Sequence, residues 1–285
     1  VTTPESYLSK DGETVVVRVK DEIRLRLPLR TLSGIVCFGP VLCSPFLLGV
    51  CAEQGVAVSF LTDHGRFLAR VQGTVSGNVL LRRAQYRTAD QTETRLGLAR
   101  LFVAGKIANA RTVLLRGARE GEGAPADALE GVARRYTFTL QEVESAETLD
   151  QLRGIEGDAA RHYFDVFNHL IRAPEAALSL KGRNRRPPLD PLNAMLSFLY
   201  TLLVHDVRGA LEGIGLDPAV GYLHEDRPGR PGLALDMMEE FRSFLCDRLA
   251  LTLINRRQIQ LKDFRTMENG AVLLADDARK LVLQS

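Results

Sequence analysis

The segment Gly221–Arg242, GYLHEDRPGRPGLALDMMEEFR, concentrates proton- and metal-binding side chains at one junction. His224 is followed by two acids and by the loop Arg227-Pro228-Gly229-Arg230-Pro231-Gly232. A helical stretch with Asp236, Glu239 and Glu240 comes next. Asp236 and Glu239 are three apart, so on a helix they share a face and can reach one cation. A Pro/Gly loop that folds back brings His224 close to the start of that helix. Carboxylates with one imidazole suit Mn2+ or Mg2+, whereas structural zinc favours closed thiolate and imidazole tetrahedra. Two plainer readings compete. First-turn acids also answer the helix dipole, and a single loop histidine is usually a surface residue.

A further acid stands in LRGIEGDAARHYF, where Gly154 and Gly157 bracket Glu156 inside a helical pattern. Each interior glycine costs about 1 kcal/mol against alanine. Two of them imply close backbone approach or room for something bulky at Glu156; a break between two shorter helices is the alternative.

The elements that must position these groups have two different periods. From Ser6 to about Gln72, ETVVVRVKDEIRLRLPLRTLSGIVCFG, AVSFLT and RFLARVQG alternate apolar and polar residues and read as strands. Asp63-His64-Gly65 is a tight-turn signature between the last two. CSPFLLGVCAEQG predicts one short helix, with Ser44 as N-cap, Pro45 in the first turn and Gly55 as the stop. From Gln85 the period becomes 3.6. One long basic helix is expected to Arg119, with Leu98, Leu101, Phe102, Ala108 and Leu115 on its apolar face. Further helices are expected at 126–143, 146–170, 190–211 and 234–254, the last held in the core by Ala234, Met238, Phe241, Leu245 and Leu249. The expected organisation is α+β. A small β-sandwich-like domain (1–76) and a linker (77–84) precede a larger all-helical catalytic domain (85–285).

Composition excludes some classes. The 285 residues are 45% hydrophobic and 25% charged, ordinary for a soluble globular chain. No run of about 18 apolar residues suggests a membrane span, and VTTPESYL has no signal-peptide pattern. Cys37, Cys43, Cys51 and Cys246 form neither a CxxC pair nor a disulfide framework, which points to a reducing, cytoplasmic setting. The absent initiator Met raises the expectation that the chain is trimmed at an end. Six of the 37 basic residues are lysine. Arginine forks match phosphate geometry, although a GC-rich genome gives the same bias. Between Arg82 and Arg119, nine bases face two acids. KGRNRRPPLDP adds Lys181, Arg183, Arg185 and Arg186, as a solvated loop or as a phosphate-contacting arm. Asp190 and Pro191 suit the start of the next helix. No GxxxxGK[ST] motif or Ser/His/Asp arrangement competes.

Taken together, GIEGDAARHYF (154–164), NRRPPLDPLNAMLSFLYTLL (184–203) and GYLHEDRPGRPGLALDMMEEFR (221–242) closely resemble the three signature blocks of the CRISPR adaptation integrase family. The resemblance covers essentially the whole chain, in block order, spacing and domain order. It implies a metal-dependent DNA endonuclease and integrase. Such an enzyme inserts spacer DNA into a CRISPR array, in antiviral defence, by attack of a DNA 3′-hydroxyl on a repeat phosphodiester. The resemblance implies catalytic and metal-binding roles for Glu156, His224 and Asp236, with Mg2+ or Mn2+ as cofactor. Glu239 matches a second helix carboxylate that ligates directly or through water, and Arg242 matches a basic position beside a phosphate. Arg82, Arg83, Arg87, Arg183, Arg185 and Arg186 are the further DNA-binding candidates. Implied partners are double-stranded DNA (prespacer and repeat), a second copy in a homodimer built through the β domains, and a small ferredoxin-like adaptation protein. Family members extend somewhat past Ser285. The alternative is a catalytically idle DNA-binding assembly subunit, with the acids as helix caps.

Overall fold

The computed structural model describes residues 1–63, 65–71, 73, 78–172, 178–184 and 187–285. The chain divides into two compact units, Val1–Gly77 and Asn78–Ser285.

The first unit holds two small sheets. In one, β1 (Ser6–Asp11), β2 (Thr14–Val19), β3 (Glu22–Pro28) and β5 (Leu42–Cys43) lie in the order β3-β2-β1-β5. In the other, β4 (Gly34–Phe38) and β6 (Ala57–Leu61) run parallel, and β7 (Phe67–Val71) pairs antiparallel with β6. α1 (Pro45–Glu53) crosses between them. Its first turn is capped by Ser44, whose Oγ accepts from the Leu47 amide, and it ends before Gly55 at φ +72°. Leu8, Val15, Val17, Leu29, Ile35, Leu47 and Val58 form the core, the inward half of the alternation. β3 is an edge strand whose Ile23, Leu25 and Leu27 remain substantially exposed. His64 lies outside the described residues; around it, Leu61 pairs with Phe67.

The second unit is mostly helical: α2 (Val79–Asp90), α3 (Thr92–Glu120), α4 (Gly123–Ser145), α5 (Leu149–Val166), α6 (Pro191–Gly213), α7 (Gly232–Phe241), α8 (Arg248–Asn255) and α9 (Asp276–Gln284). A two-stranded antiparallel hairpin, β8 (Phe264–Thr266) with β9 (Val272–Leu274), precedes α9. Among the described residues, no helix is long and apolar enough to cross a membrane.

Several expectations are corrected. Residues 79–84 are not a linker but the start of α2. The Asn78 side chain caps this helix by accepting from the Leu80 and Leu81 amides. The long basic helix is two helices, because Gln91 takes an extended backbone. The inward stripe of α3 is Leu96, Ala99, Val103, Ile107, Ala110 and Leu114, whereas Leu101 is 67% exposed. Both stripes have helical spacing, and packing on α4, α5 and α7 selects the one with small residues. The 234–254 segment is re-phased by a π-helical turn at Arg242–Asp247. The wider turn swings Phe241 and Leu245 outward and puts Arg242, Ser243, Cys246 and Asp247 inside. α6 starts as expected, with Asp190 accepting from the Asn193 amide and Pro191 in its first turn.

The loop ahead of α7 closes at a neck of two glycines. A Cβ on Gly221 would stand 2.5 Å from the His224 carbonyl oxygen and 2.9 Å from the Gly232 carbonyl carbon. One on Gly232 would stand 2.8 Å from the Ala219 oxygen, to which its own amide donates at 3.2 Å. Gly221→Ala should therefore destabilise the protein by about 1–3 kcal/mol, the range for overpacking, measured as a lowered denaturation midpoint. An unchanged midpoint would show that the neck is not tight.

Candidate metal centre

The folded-back loop ends on Asp236, which is fully buried in α7. Its Oδ2 accepts from the amides of Tyr222 (2.6 Å) and Leu223 (3.0 Å). Its Oδ1 accepts from the His224 amide (2.9 Å) and pairs with the His224 ring Nδ1 (2.6 Å). Four contacts fill the lone pairs of an ionised carboxylate. Asp236, expected from the sequence as a metal ligand, is thus turned to backbone amides and an imidazole in this structure. It nests three successive amides and orients the imidazole through Nδ1. The carbonyls of the same segment are held from other helices. Arg95 Nε on α3 donates to Tyr222 O at 2.8 Å, and Arg153 on α5 donates to Leu223 O at 2.9 and 3.1 Å.

Glu156 lies one turn beyond Arg153 on the unbroken α5, which removes the alternative of a helix break. An added Cβ at Gly154 or Gly157 would meet nothing within 4 Å, so the glycines leave space beside Glu156 and do not mark a close backbone approach. Glu156 Oε1 accepts from Lys106 Nζ on α3. The same ammonium lies 2.6 Å from Glu239 Oε2 on α7. Lys106 is set there by its neighbours: Gly105 lets α3 approach α7, with only 3.3 Å from its ideal Cβ to Glu240 Cβ, and Asn109 Nδ2 donates to Glu240 O at 2.8 Å.

Glu239 also takes both contacts of Arg242 Nη1, at 2.7 and 2.8 Å. Burial pushes its carboxyl up, but the charges of Arg242 and Lys106 outweigh this and hold it down at about 2. Arg242 is buried, its guanidinium 4.3 Å from the centroid of the Tyr200 ring. It is the interior counter-charge of Glu239, not the surface phosphate contact that was expected. Beneath it the Tyr163 and Tyr200 hydroxyls donate to Asp247 at 3.0 and 2.5 Å, and burial raises the Asp247 carboxyl. A cavity of about 270 Å³ runs beside Lys106, Glu156 and Glu239 and is walled by Tyr136, Tyr163 and Tyr200.

Among the described residues, no three His, Cys, Asp or Glu side chains stand ready as a metal ligand set. Two carboxylates from different helices nevertheless converge on one cation, the Lys106 ammonium. That stand-in charge between two carboxylates fits an oxygen-rich divalent site. In the sequence Lys106 is only one of the nine bases between Arg82 and Arg119. Tyr163, Tyr200 and Asp247 carried no signal there, since nothing in their spacing announces a buried cluster.

The other bases are largely engaged. On α3, Arg100 donates to Ala146 O and Arg111 to Ala133 O. Arg183 donates to Asn184 O and the Asn193 side chain, with its guanidinium 5.3 Å from the Tyr200 ring centroid and 5.9 Å from that of Phe164. It anchors its loop. Arg83 and Arg87 are exposed on α2 and Arg82 is half-buried. Arg185 and Arg186 lie outside the described residues.

Because Glu239 is held ionised in the folded state, its contribution is full above the ordinary carboxylate range and is lost as pH falls toward about 2. In chelator, the stability of the wild type relative to Glu239→Gln should therefore shrink between roughly pH 4.5 and 2. Parallel acid-denaturation curves would contradict this.

The sequence profile described as CRISPR associated protein Cas1 matches residues 1–285. CRISPR-associated endonuclease Cas1 1 of Chlorobaculum tepidum is 55% identical over 284 residues, which span 99% of this chain and 83% of that relative. Among solved structures, a CAS1 protein from Thermotoga maritima superposes with a TM-score of 0.84 at 25% identity, over 99% of this chain and 86% of that one. A chain of a Cas6-RT-Cas1–Cas2 complex gives 0.81 at 26% identity, over 100% of this chain and 31% of its own length. With its two units, its three motif blocks and similarity along the whole length, the chain belongs to the Cas1 family.

Proposed function

We propose that this chain is a divalent-metal-dependent DNA endonuclease and integrase of CRISPR adaptation, acting in the cytoplasm on prespacer and repeat DNA. The relatives' name as endonucleases supports the activity. The observation that carries the reading is the convergence of Glu156 and Glu239 on one positive charge, near the Tyr222–His224 loop. Glu156, Glu239 and the His224 imidazole would hold Mg2+ or Mn2+, which when bound would supply a Lewis acid for the phosphodiester. Asp236 holds the imidazole in the ligating tautomer and fixes the loop that carries it. Arg242 keeps Glu239 ionised and in place. The expected set Glu156, His224 and Asp236 thereby becomes Glu156, His224 and Glu239, with Asp236 behind the histidine. A 3′-hydroxyl as attacker gives strand transfer; water gives cleavage.

For partners, we propose a homodimer and a small ferredoxin-like protein in the role that Cas2 has in the Cas6-RT-Cas1–Cas2 complex. Exposed arginines on α2 supply sequence-independent DNA affinity.

Cleavage and strand transfer on branched and duplex DNA with Mn2+ should fall by about a thousandfold in Glu156→Gln, His224→Ala and Glu239→Gln, the scale of a lost Lewis acid. Asp236→Asn should cost about 10–100-fold, as for a partner that orients a ligand. Full activity in all four variants would return the chain to the idle assembly subunit. Arg83→Glu with Arg87→Glu should weaken DNA binding and flatten its dependence on log salt by about two phosphate contacts. An unchanged slope would remove α2 from the interface.

A further inference from the structure

Lys106 sits where two ligands of the proposed centre meet. Its Nζ bonds Glu156 Oε1 and stands 2.6 Å from Glu239 Oε2. A divalent ion on the same two oxygens would need metal–oxygen distances of about 2.0–2.3 Å. It would then stand well inside van der Waals contact with the ammonium nitrogen. Charge forbids sharing as firmly as space does. The charges of Glu156 and Glu239 are already balanced by Lys106 and Arg242, and Arg242 is locked between Glu239 and Tyr200. Adding a divalent ion while both bases remain would leave two uncompensated positive charges in a largely buried site, where screening is weak.

The backbone of Lys106 cannot yield. Gly105 and Asn109, one residue before it and three after, fasten α3 against α7 at Glu240. The side chain can. It borders the cavity of about 270 Å³, into which a four-carbon stem can rotate without moving the helix. Lysine also suits this task better than arginine: its point charge bridges two carboxylates yet keeps no planar, bidentate hold on either.

From this geometry we propose that Lys106 is the built-in occupant of the metal seat, an ammonium that fills the centre in the resting protein and leaves when a divalent cation enters. The inference rests on the metal reading above and adds to it a residue that sets how weakly the free protein holds its metal. The resting carboxylates are thereby held around a cation, and loading is an exchange of one cation for another.

Mn2+ titration of the metal-stripped full chain, without DNA, by calorimetry and by loss of the free Mn2+ paramagnetic signal, tests this. Lys106→Met should bind Mn2+ about tenfold more tightly or better than the wild type, since one charge-assisted competitor is gone. Lys106→Gln, which keeps a polar head without the charge, should show the same tightening and serves if the Met variant does not fold. Lys106→Arg should not tighten binding. In chelator the Met variant should melt below the wild type, and saturating Mn2+ should close that gap. Equal or weaker Mn2+ affinity in both neutral variants, or a melting deficit that Mn2+ leaves untouched, would make Lys106 a purely structural ion pair and overturn the proposal. Failure of the wild type and of every variant to take up Mn2+ would overturn the metal centre itself, and this inference with it.

Discussion

A carboxylate at the edge of a protein interior must be answered by positive charge or hydrogen bonds, and the helical unit is organised around that demand. Glu239 is buried yet held ionised, because Arg242 and Lys106 reach it from two sides. One of those bases comes from α3 and the other from the π-helical turn after α7. The same ammonium extends to Glu156 on α5. Three helices far apart in sequence are therefore tied at one electrostatic point, and a cation there is a requirement of the fold before it is an asset of the chemistry.

The second tie joins charged side chains to backbone groups and is equally specific. Asp236 gathers three consecutive amides and an imidazole, while Arg95 and Arg153 take the carbonyls on the other side. Nearly every polar backbone group of Tyr222–Leu223 thus has a charged partner. A histidine on a Pro/Gly loop ordinarily samples many orientations; here its position and tautomer are decided by buried groups. The Gly221–Gly232 neck makes this possible, since a side chain on either residue would prise the loop from the helix.

The π-helical turn completes the first tie. Arg242 at its start pairs with Glu239 one turn back, Asp247 at its end meets Tyr163 and Tyr200, and Phe241 and Phe244 face out. A regular helix would have continued the apolar stripe at Phe241 and Leu245, burying those side chains in place of the charged network. The extra residue in the turn thus exchanges a hydrophobic seam for a polar one at the candidate centre.

Much of this protein was legible in the order of its residues. Alternation marked the strands, Ser44 and Asp190 marked two helix starts, and the His224 block together with Glu156 between its glycines marked the chemistry. Local rules reach that far because caps, turns and periodicity depend on neighbours within a few positions. They could not tell which of two acids on one helix face takes the Tyr222–His224 amides and which meets Lys106 and Arg242, because those partners come from different segments. Nor could they select the buried stripe of α3, the π re-phasing after Phe241, or the use of Lys106 as a counter-ion between helices. Those outcomes follow from burial and long-range pairing, which exist only once distant segments share an interior, and there the tertiary structure alone decided.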